Sequence, residues 1–375
     1  MQRHFLTWYA AFVVAFGLLF PMAVVYCVDP LQFFRRAGYV PVFSTNERYQ
    51  LPGLARNYDY DTVIVGTSMT QNFYLTYADR QLKARTLKVA ISGSSAHEQF
   101  LVLNLAIRTG KVRRVIWGLD QWEFRGSPNR VRDDLGVFPY YLYGSNWLGY
   151  FWYLFNGSFF SDSLQILSEY NRFNGPVSSR IPDDWNTFDK FYHFGRNNAV
   201  RDYFNPKNSE GLDDPSVLKA YDLATMEESF QENTLALVKL HPEIEFNFFY
   251  PPYSILNAKF YQAHYPALFD RLIDFQNLTT RALVGVRNVR LFDFSDVSSI
   301  THDLDLYKDI GHFNVGVNEF IVRSIATGDH LVDPKDPDAS TRHLRMQAEA
   351  YPEPASPNVG TGEQPGVTTR LDLHE

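Results

Sequence analysis

The chain has one cysteine in 375 residues, and that one, Cys27, falls in an apolar N-terminal segment. The remainder has neither a disulfide framework nor a thiolate metal site. A cysteine-free body suits an oxidising compartment. Basic charge is also scarce: 35 Lys and Arg stand against 42 Asp and Glu, a net charge of −7. From Gly328 onward nine acidic side chains face four basic ones, so −5 of that charge lies in the tail. The rest is near neutral and carries no electrostatic footprint for nucleic acid. There is no glycine-rich phosphate fingerprint and no internal repeat, so nucleotide chemistry has no support. His193, His241, His264 and His302 are scattered without ligand spacing, and His97 beside Glu98 reads as a helix-start pair. Asp303, Asp305 and Asp309 alternate as in a calcium loop. Lys308 stands where that loop needs glycine, and Asn314 where it needs glutamate, so no metal and no cofactor is expected.

What the chain does have is apolar mass. It is 45% hydrophobic and 16% aromatic, ample for one large domain with an insertion. Residues 5–28 form a run without charge, preceded by Arg3 and His4 and followed by Asp29 and Pro30. That length fits a helix across about 30 Å of hydrocarbon. Trp8, Tyr9 and Tyr26 lie near its ends, where interfacial aromatics belong. The positive flank is N-terminal, which favours a cytoplasmic N-terminus and an exported body, although Arg35 and Arg36 weaken the bias. A cleaved signal peptide is the competing reading. No small-x-small site precedes Asp29, and the run exceeds a usual signal core, so an uncleaved single-pass anchor in the inner (plasma) membrane is preferred.

Residues 29–60 read as a connecting segment. A β-branched run at 62–66 then reads as a strand buried on both faces. A helix is expected over much of 70–84, a second strand at 87–91, and a helix from Ser95, whose spacing to Glu98 fits a capping box. A third strand covers 112–119. Strand alternating with helix is the pattern of a parallel sheet with crossover helices. Residues 121–213 break the alternation with an aromatic-rich insertion, taken to cover the carboxyl end of the sheet. Lid, ordinary core and membrane contact are equally open readings for its aromatics. Alternation resumes at Asp214-Pro215, with a helix to about 240, a strand at 244–250, a helical stretch at 257–285, a strand at 289–294 and a last helix at 315–326. Residues 61–327 thus form the α/β domain. The tail, 328–375, holds six prolines and most of the net charge, and is expected to be disordered.

The stretch with chemical content is Gly66-Thr67-Ser68 at the end of the first strand. A turn there lies at the carboxyl edge of the sheet, where open α/β folds bind ligands. A helix starting beyond it would aim N–H groups at developing negative charge. Ser68 as a plain N-cap is the bland alternative. A serine nucleophile needs a base, and the base an orienter. Asp309 and His312, three residues apart after the last strand, offer both. Tyr253 and Ser254, after the fourth strand, share the same rim.

Gly66-Thr67-Ser68, Ser92-Gly93 after the second strand and Asp309-Ile310-Gly311-His312 before the last helix together resemble the blocks of the SGNH, or GDSL-like, hydrolase superfamily. The resemblance covers roughly residues 60–120 and 244–327. It implies a flavodoxin-like three-layer α/β/α fold with a five-stranded parallel sheet. It implies Ser68 as nucleophile, His312 as base and Asp309 as orienter, with the backbone N–H groups of Ser68 and Gly93 in an oxyanion hole. The departure is at the third block, where Gly118-Leu119-Asp120 replaces Gly-x-Asn. An ionised aspartate cannot donate, and loss of one such donor typically costs about 3–4 kcal/mol of transition-state stabilisation. Asn72 is a candidate substitute donor. Membrane-anchored members of similar layout hand an acyl group to, or remove one from, a cell-envelope or exported polysaccharide, often beside a multi-pass membrane acyltransferase. The expectation is therefore a membrane-anchored esterase or O-acyltransferase. A catalytically reduced scaffold or glycan-binding partner in an envelope assembly is the other reading.

Overall fold

The computed structural model describes residues 2–356, apart from residues 133, 135, 145, 146 and 213. Five parallel strands make one sheet: β1 (Thr62–Val65), β2 (Thr86–Lys88), β3 (Arg114–Gly118), β4 (Glu245–Tyr250) and β5 (Val289–Asp293). Their order is β2-β1-β3-β4-β5, the doubly wound arrangement whose switch point lies between β1 and β3. Register is continuous across it, with Val63 opposite both Leu87 and Val115, and Ile116 opposite Asn247.

Each strand alternates between two cores. Val63, Val65, Val115, Trp117, Phe246 and Phe248 pack on one face with helices α1 (Glu47–Asn57) and α3 (Ala96–Arg108). Ile64, Ile116, Phe249 and Phe292 pack on the other with α2 (Leu75–Leu82), α6 (Ile255–His264) and α8 (Val315–Thr327). Both faces are covered, which is why the strands read as continuous apolar runs. The capping box at Ser95 and Glu98 is formed, as is the Asp214 cap with Pro215 behind it.

Four expectations are corrected. The helix expected over 70–84 begins only at Leu75, after a short 3-10 turn at Ser68–Thr70. The stretch 257–285 is two helices, α6 and α7 (Pro266–Leu283). Pro266 lacks an N–H and pushes Tyr265 out of the helical region, to φ −137° and ψ 57°. Residues 29–60 are no linker: Leu51, Leu54 and Ala55 of α1 are fully buried. Asp29 caps the N-terminal helix and takes hydrogen bonds from the Phe33, Phe34 and Arg35 backbones and the Tyr153 hydroxyl. Finally, the tail is ordered through residue 356. Leu331 bridges to Phe292 at the sheet edge, and α9 (Ala339–Ala350) packs on α6 and α7. Leu344 and Ala348 pack into the core and Thr341 is buried beside them, giving α9 a buried stripe at helical spacing that the prolines and charges around it obscure. The remainder of the tail, 357–375, lies outside the described residues.

At the N-terminus, helix Gln2–Val14, a π turn Ala15–Leu19 and helix Phe20–Val28 follow one another without a break. Its span Thr7–Val28 is long and apolar enough to cross a membrane. The last turns of this helix rest on α4 (Trp147–Leu154) and α5 (Gly157–Ser168) of the insertion.

Candidate active site

Gly66 ends β1 with φ +152°, a conformation that L side chains avoid, and a Cβ there would come within 2.8 Å of Thr70. The chain therefore turns sharply into the Ser68–Thr70 turn. Thr67, not Ser68, caps that turn, its hydroxyl accepting from Met69 N. The Ser68 hydroxyl is thus left for another partner, which is His312: Oγ lies 2.8 Å from Nε2. The two residues are 244 positions apart.

The other ring nitrogen, Nδ1, is 2.8 and 3.0 Å from the two oxygens of Asp309. Local backbone makes this pair. Tyr307 bridges to Phe313, and Lys308 N donates to His312 O, so residues 308–312 form a tight loop. Inside it Asp309 Oδ1 accepts from Gly311 N and His312 N, while Lys308 Nζ sits 2.8 Å from Oδ2. Burial pushes the Asp309 carboxyl up, but the His312 ring, Lys308 and the loop N–H groups outweigh it and hold the group far below the usual carboxylate range. A permanently ionised Asp309 fixes a proton on Nδ1 and leaves Nε2 to accept from Ser68.

The Ser92–Gly93 loop runs beside the turn, since Ile91 N donates to Gly66 O. Among the described residues, the Ser68 and Gly93 N–H groups donate to no protein group. Gly93 has φ +57°, and a Cβ would meet Arg132 Nη1 at 2.6 Å. Behind the loop, Arg48 makes a fully buried two-point ion pair with Glu98, both at 3.0 Å. A cleft of about 400 Å³ opens here, lined by Asn46, Arg48, Ser92, Gly93 and Arg132 among others.

Asp120 lies at the end of β3, tied to the residue before Ser68. Its Oδ2 accepts from the Thr67 hydroxyl at 3.1 Å and its Oδ1 from Trp122 N at 3.3 Å. Desolvation raises its pKa against those hydrogen bonds. The Tyr253 hydroxyl is buried beside this carboxyl and, ahead of Thr67 and Trp122, opposes the rise in its pKa, while the Tyr253 ring packs on Gly311.

Two candidates are placed elsewhere. Asn72 is buried, its Oδ1 accepting from the Phe188 and Asp189 backbones and one N–H of its Nδ2 donating to Phe313 O. It ties the insertion to the His312 loop. Ser254 is buried, its hydroxyl donating to Ile310 O at 2.6 Å, so it clamps the same loop and is not free for substrate.

Sequence reading missed three contributors. Phe188, from the insertion, meets the His312 ring edge-on at 5.4 Å, and Lys308 lies over the Phe188 and Tyr192 rings. Part of the insertion therefore does reach over this edge of the sheet. Lys88, fully buried in β2, donates to the carbonyls of Gln71 and Trp185 and joins the Ser68 turn to the insertion. Burial lowers its pKa to about 7. Arg48 is the third. Lys88 and Arg48 occupy unremarkable positions in sequence, and only the apolar neighbours of Lys88 hint that it is enclosed. No protein-family model matches the chain, and a search of curated proteins finds no significant match.

Proposed function

We propose that the protein is a membrane-anchored serine acyl-transfer enzyme, an esterase or O-acyltransferase, exported to the outer side of the inner membrane. One observation carries the reading: a serine hydroxyl that caps nothing is hydrogen-bonded to an imidazole whose other nitrogen faces an ionised carboxylate. In this reading Ser68 Oγ attacks an ester carbonyl as its proton passes to His312 Nε2. The leaving alcohol takes that proton, and an acyl-serine remains. Water or a sugar hydroxyl then gives its proton to His312 and attacks the acyl-serine, releasing an acid or a new ester and restoring Ser68.

The oxyanion of each tetrahedral intermediate would rest on the Ser68 and Gly93 N–H groups. Asp120 stands at the third donor position, where its two oxygens accept from the Thr67 hydroxyl and Trp122 N, so in this reading the Ser68 and Gly93 N–H groups carry the oxyanion. The cleft beside Gly93 is the candidate seat for the acyl acceptor. A cell-envelope glycan is the expected acceptor. A multi-pass membrane acyltransferase is the candidate partner, given the SGNH resemblance and the N-terminal helix.

The test is labelling of the full chain, in detergent, with a serine-reactive fluorophosphonate, read by peptide mass spectrometry. The adduct is expected on Ser68 and is expected to vanish in Ser68→Ala and His312→Ala. An unlabelled, folded parent chain would instead favour the scaffold reading, with Asp120 as the cause.

A further inference from the structure

The insertion also presents a surface that the chemistry above does not use. Between positions 147 and 168 the chain carries a single charged side chain, Asp162. Buried residues on this helix pair face inward: Tyr153, Phe159 and Ile166 join the core. The outward side is apolar as well, with Trp147 73%, Trp152 63%, Phe151 43%, Phe155 42%, Leu164 43% and Leu167 49% exposed. Isolated exposed apolar residues need no explanation, but five on two consecutive helices, with Phe155 in the turn between them, form a patch that soluble surfaces avoid. The patch is continuous with the N-terminal helix. Phe160 meets the Phe20 ring edge-on at 6.4 Å, and the Tyr153 hydroxyl bonds to Asp29 where that helix ends.

We propose that α4 and α5 lie in the outer interface of the bilayer that the N-terminal helix crosses, as an aromatic platform flush with the helix's C-terminal end. The occupant of the patch is lipid. Tryptophan and phenylalanine on a helix lying in the membrane plane seat at the boundary of headgroups and acyl chains, and Arg35 and Tyr26 mark the same level, the guanidinium bonding the last carbonyls of the helix. The platform holds the body at a fixed height. Tyr143 at its entrance donates to Arg48 O, and Arg48 backs the Ser92–Gly93 loop. An acyl donor arriving at the membrane surface would therefore meet the cleft at a set distance. The inference rests on the N-terminal helix spanning a membrane and is independent of the Ser68 chemistry.

The test uses tryptophan quenching of the full chain in phosphatidylcholine vesicles with brominated or ordinary acyl chains. Trp8→Phe removes the tryptophan of the anchor and leaves five, of which Trp117, Trp122 and Trp185 are in the body and Trp147 and Trp152 on the platform. Brominated lipid should quench roughly the two-in-five share that Trp147 and Trp152 hold, and Trp8→Phe combined with Trp147→Phe and Trp152→Phe should lose that quenching. Trp147→Phe with Trp152→Phe, keeping Trp8, reports the anchor separately. Quenching of Trp8 without quenching of Trp147 and Trp152 overturns the platform and leaves the anchor. Failure of both removes the anchor and the platform together. Unquenched platform tryptophans with cross-linked dimers in the vesicle would assign the patch to a second copy and overturn the proposal. Phenylalanine keeps the patch apolar, so the variants should fold; an unchanged circular dichroism spectrum and melting temperature check this.

Discussion

Replacing Asp309 by asparagine isolates the part of the site that the local sequence builds. The shape barely changes: Oδ1 can still accept from Gly311 N and His312 N, 2.9 and 2.6 Å away. The difference lies at the second oxygen, 2.8 Å from both His312 Nδ1 and Lys308 Nζ and nearer the ring than Oδ1, which is 3.0 Å from Nδ1. An amide NH₂ there presents a donor to a donor. The imidazole relieves that by moving its proton to Nε2, which then faces Ser68 Oγ as a donor and cannot accept. A lost hydrogen bond to a charged partner alone is worth about 1.5–3 kcal/mol, or roughly ten- to a hundredfold. The wrong tautomer raises the loss toward 10⁴-fold, about 5.5 kcal/mol at roughly 1.4 kcal/mol per factor of ten. The measurement is the second-order rate of fluorophosphonate labelling at Ser68 in Asp309→Asn and parent chains, with thermal unfolding followed in parallel. Labelling of a folded variant within about threefold of the parent would refute the assignment of Asp309 as orienter.

Two other expectations follow from buried ionisable groups. Asp120→Asn installs a permanent donor where a buried carboxyl now accepts from the Thr67 hydroxyl and Trp122 N, so labelling should rise several-fold. An unchanged labelling rate in the folded variant would remove Asp120 from the oxyanion site. Lys88 titrates near 7 in the fold against 10.5 when exposed, a difference of roughly 5 kcal/mol at about 1.4 kcal/mol per unit. Between about pH 7 and 10.5 the unfolded chain holds a proton there that the folded chain does not, so this group makes stability rise with pH across that window. Lys88→Met should flatten that slope in melting-temperature measurements. Near pH 7 its net effect should be small, because the relief is offset by two carbonyls, of Gln71 and Trp185, losing their donor at about 1–3 kcal/mol each.

Much of the architecture is legible along the chain because it depends on short-range pattern. β-branched and aromatic runs report strands buried on both faces, and their alternation with helices leaves few topologies for a parallel sheet. Gly66, the Ser95–Glu98 capping box and Asp214-Pro215 report turns and caps through backbone geometry. Asp309 and His312 meet within one loop, so a spacing of three residues anticipates their contact. The contact between Ser68 and His312 belongs to the sheet, which brings the ends of β1 and the last loop to one edge. Neighbours likewise decide the roles of Asn72 and Ser254: an amide or a hydroxyl is open to a ligand only if no carbonyl or N–H nearby already holds it. The ordering of α9 and the enclosure of Lys88 and the Arg48–Glu98 pair have the same origin. Composition counts charges and prolines one by one, whereas their energies depend on what packs around them, and packing is a property of residues far apart in sequence.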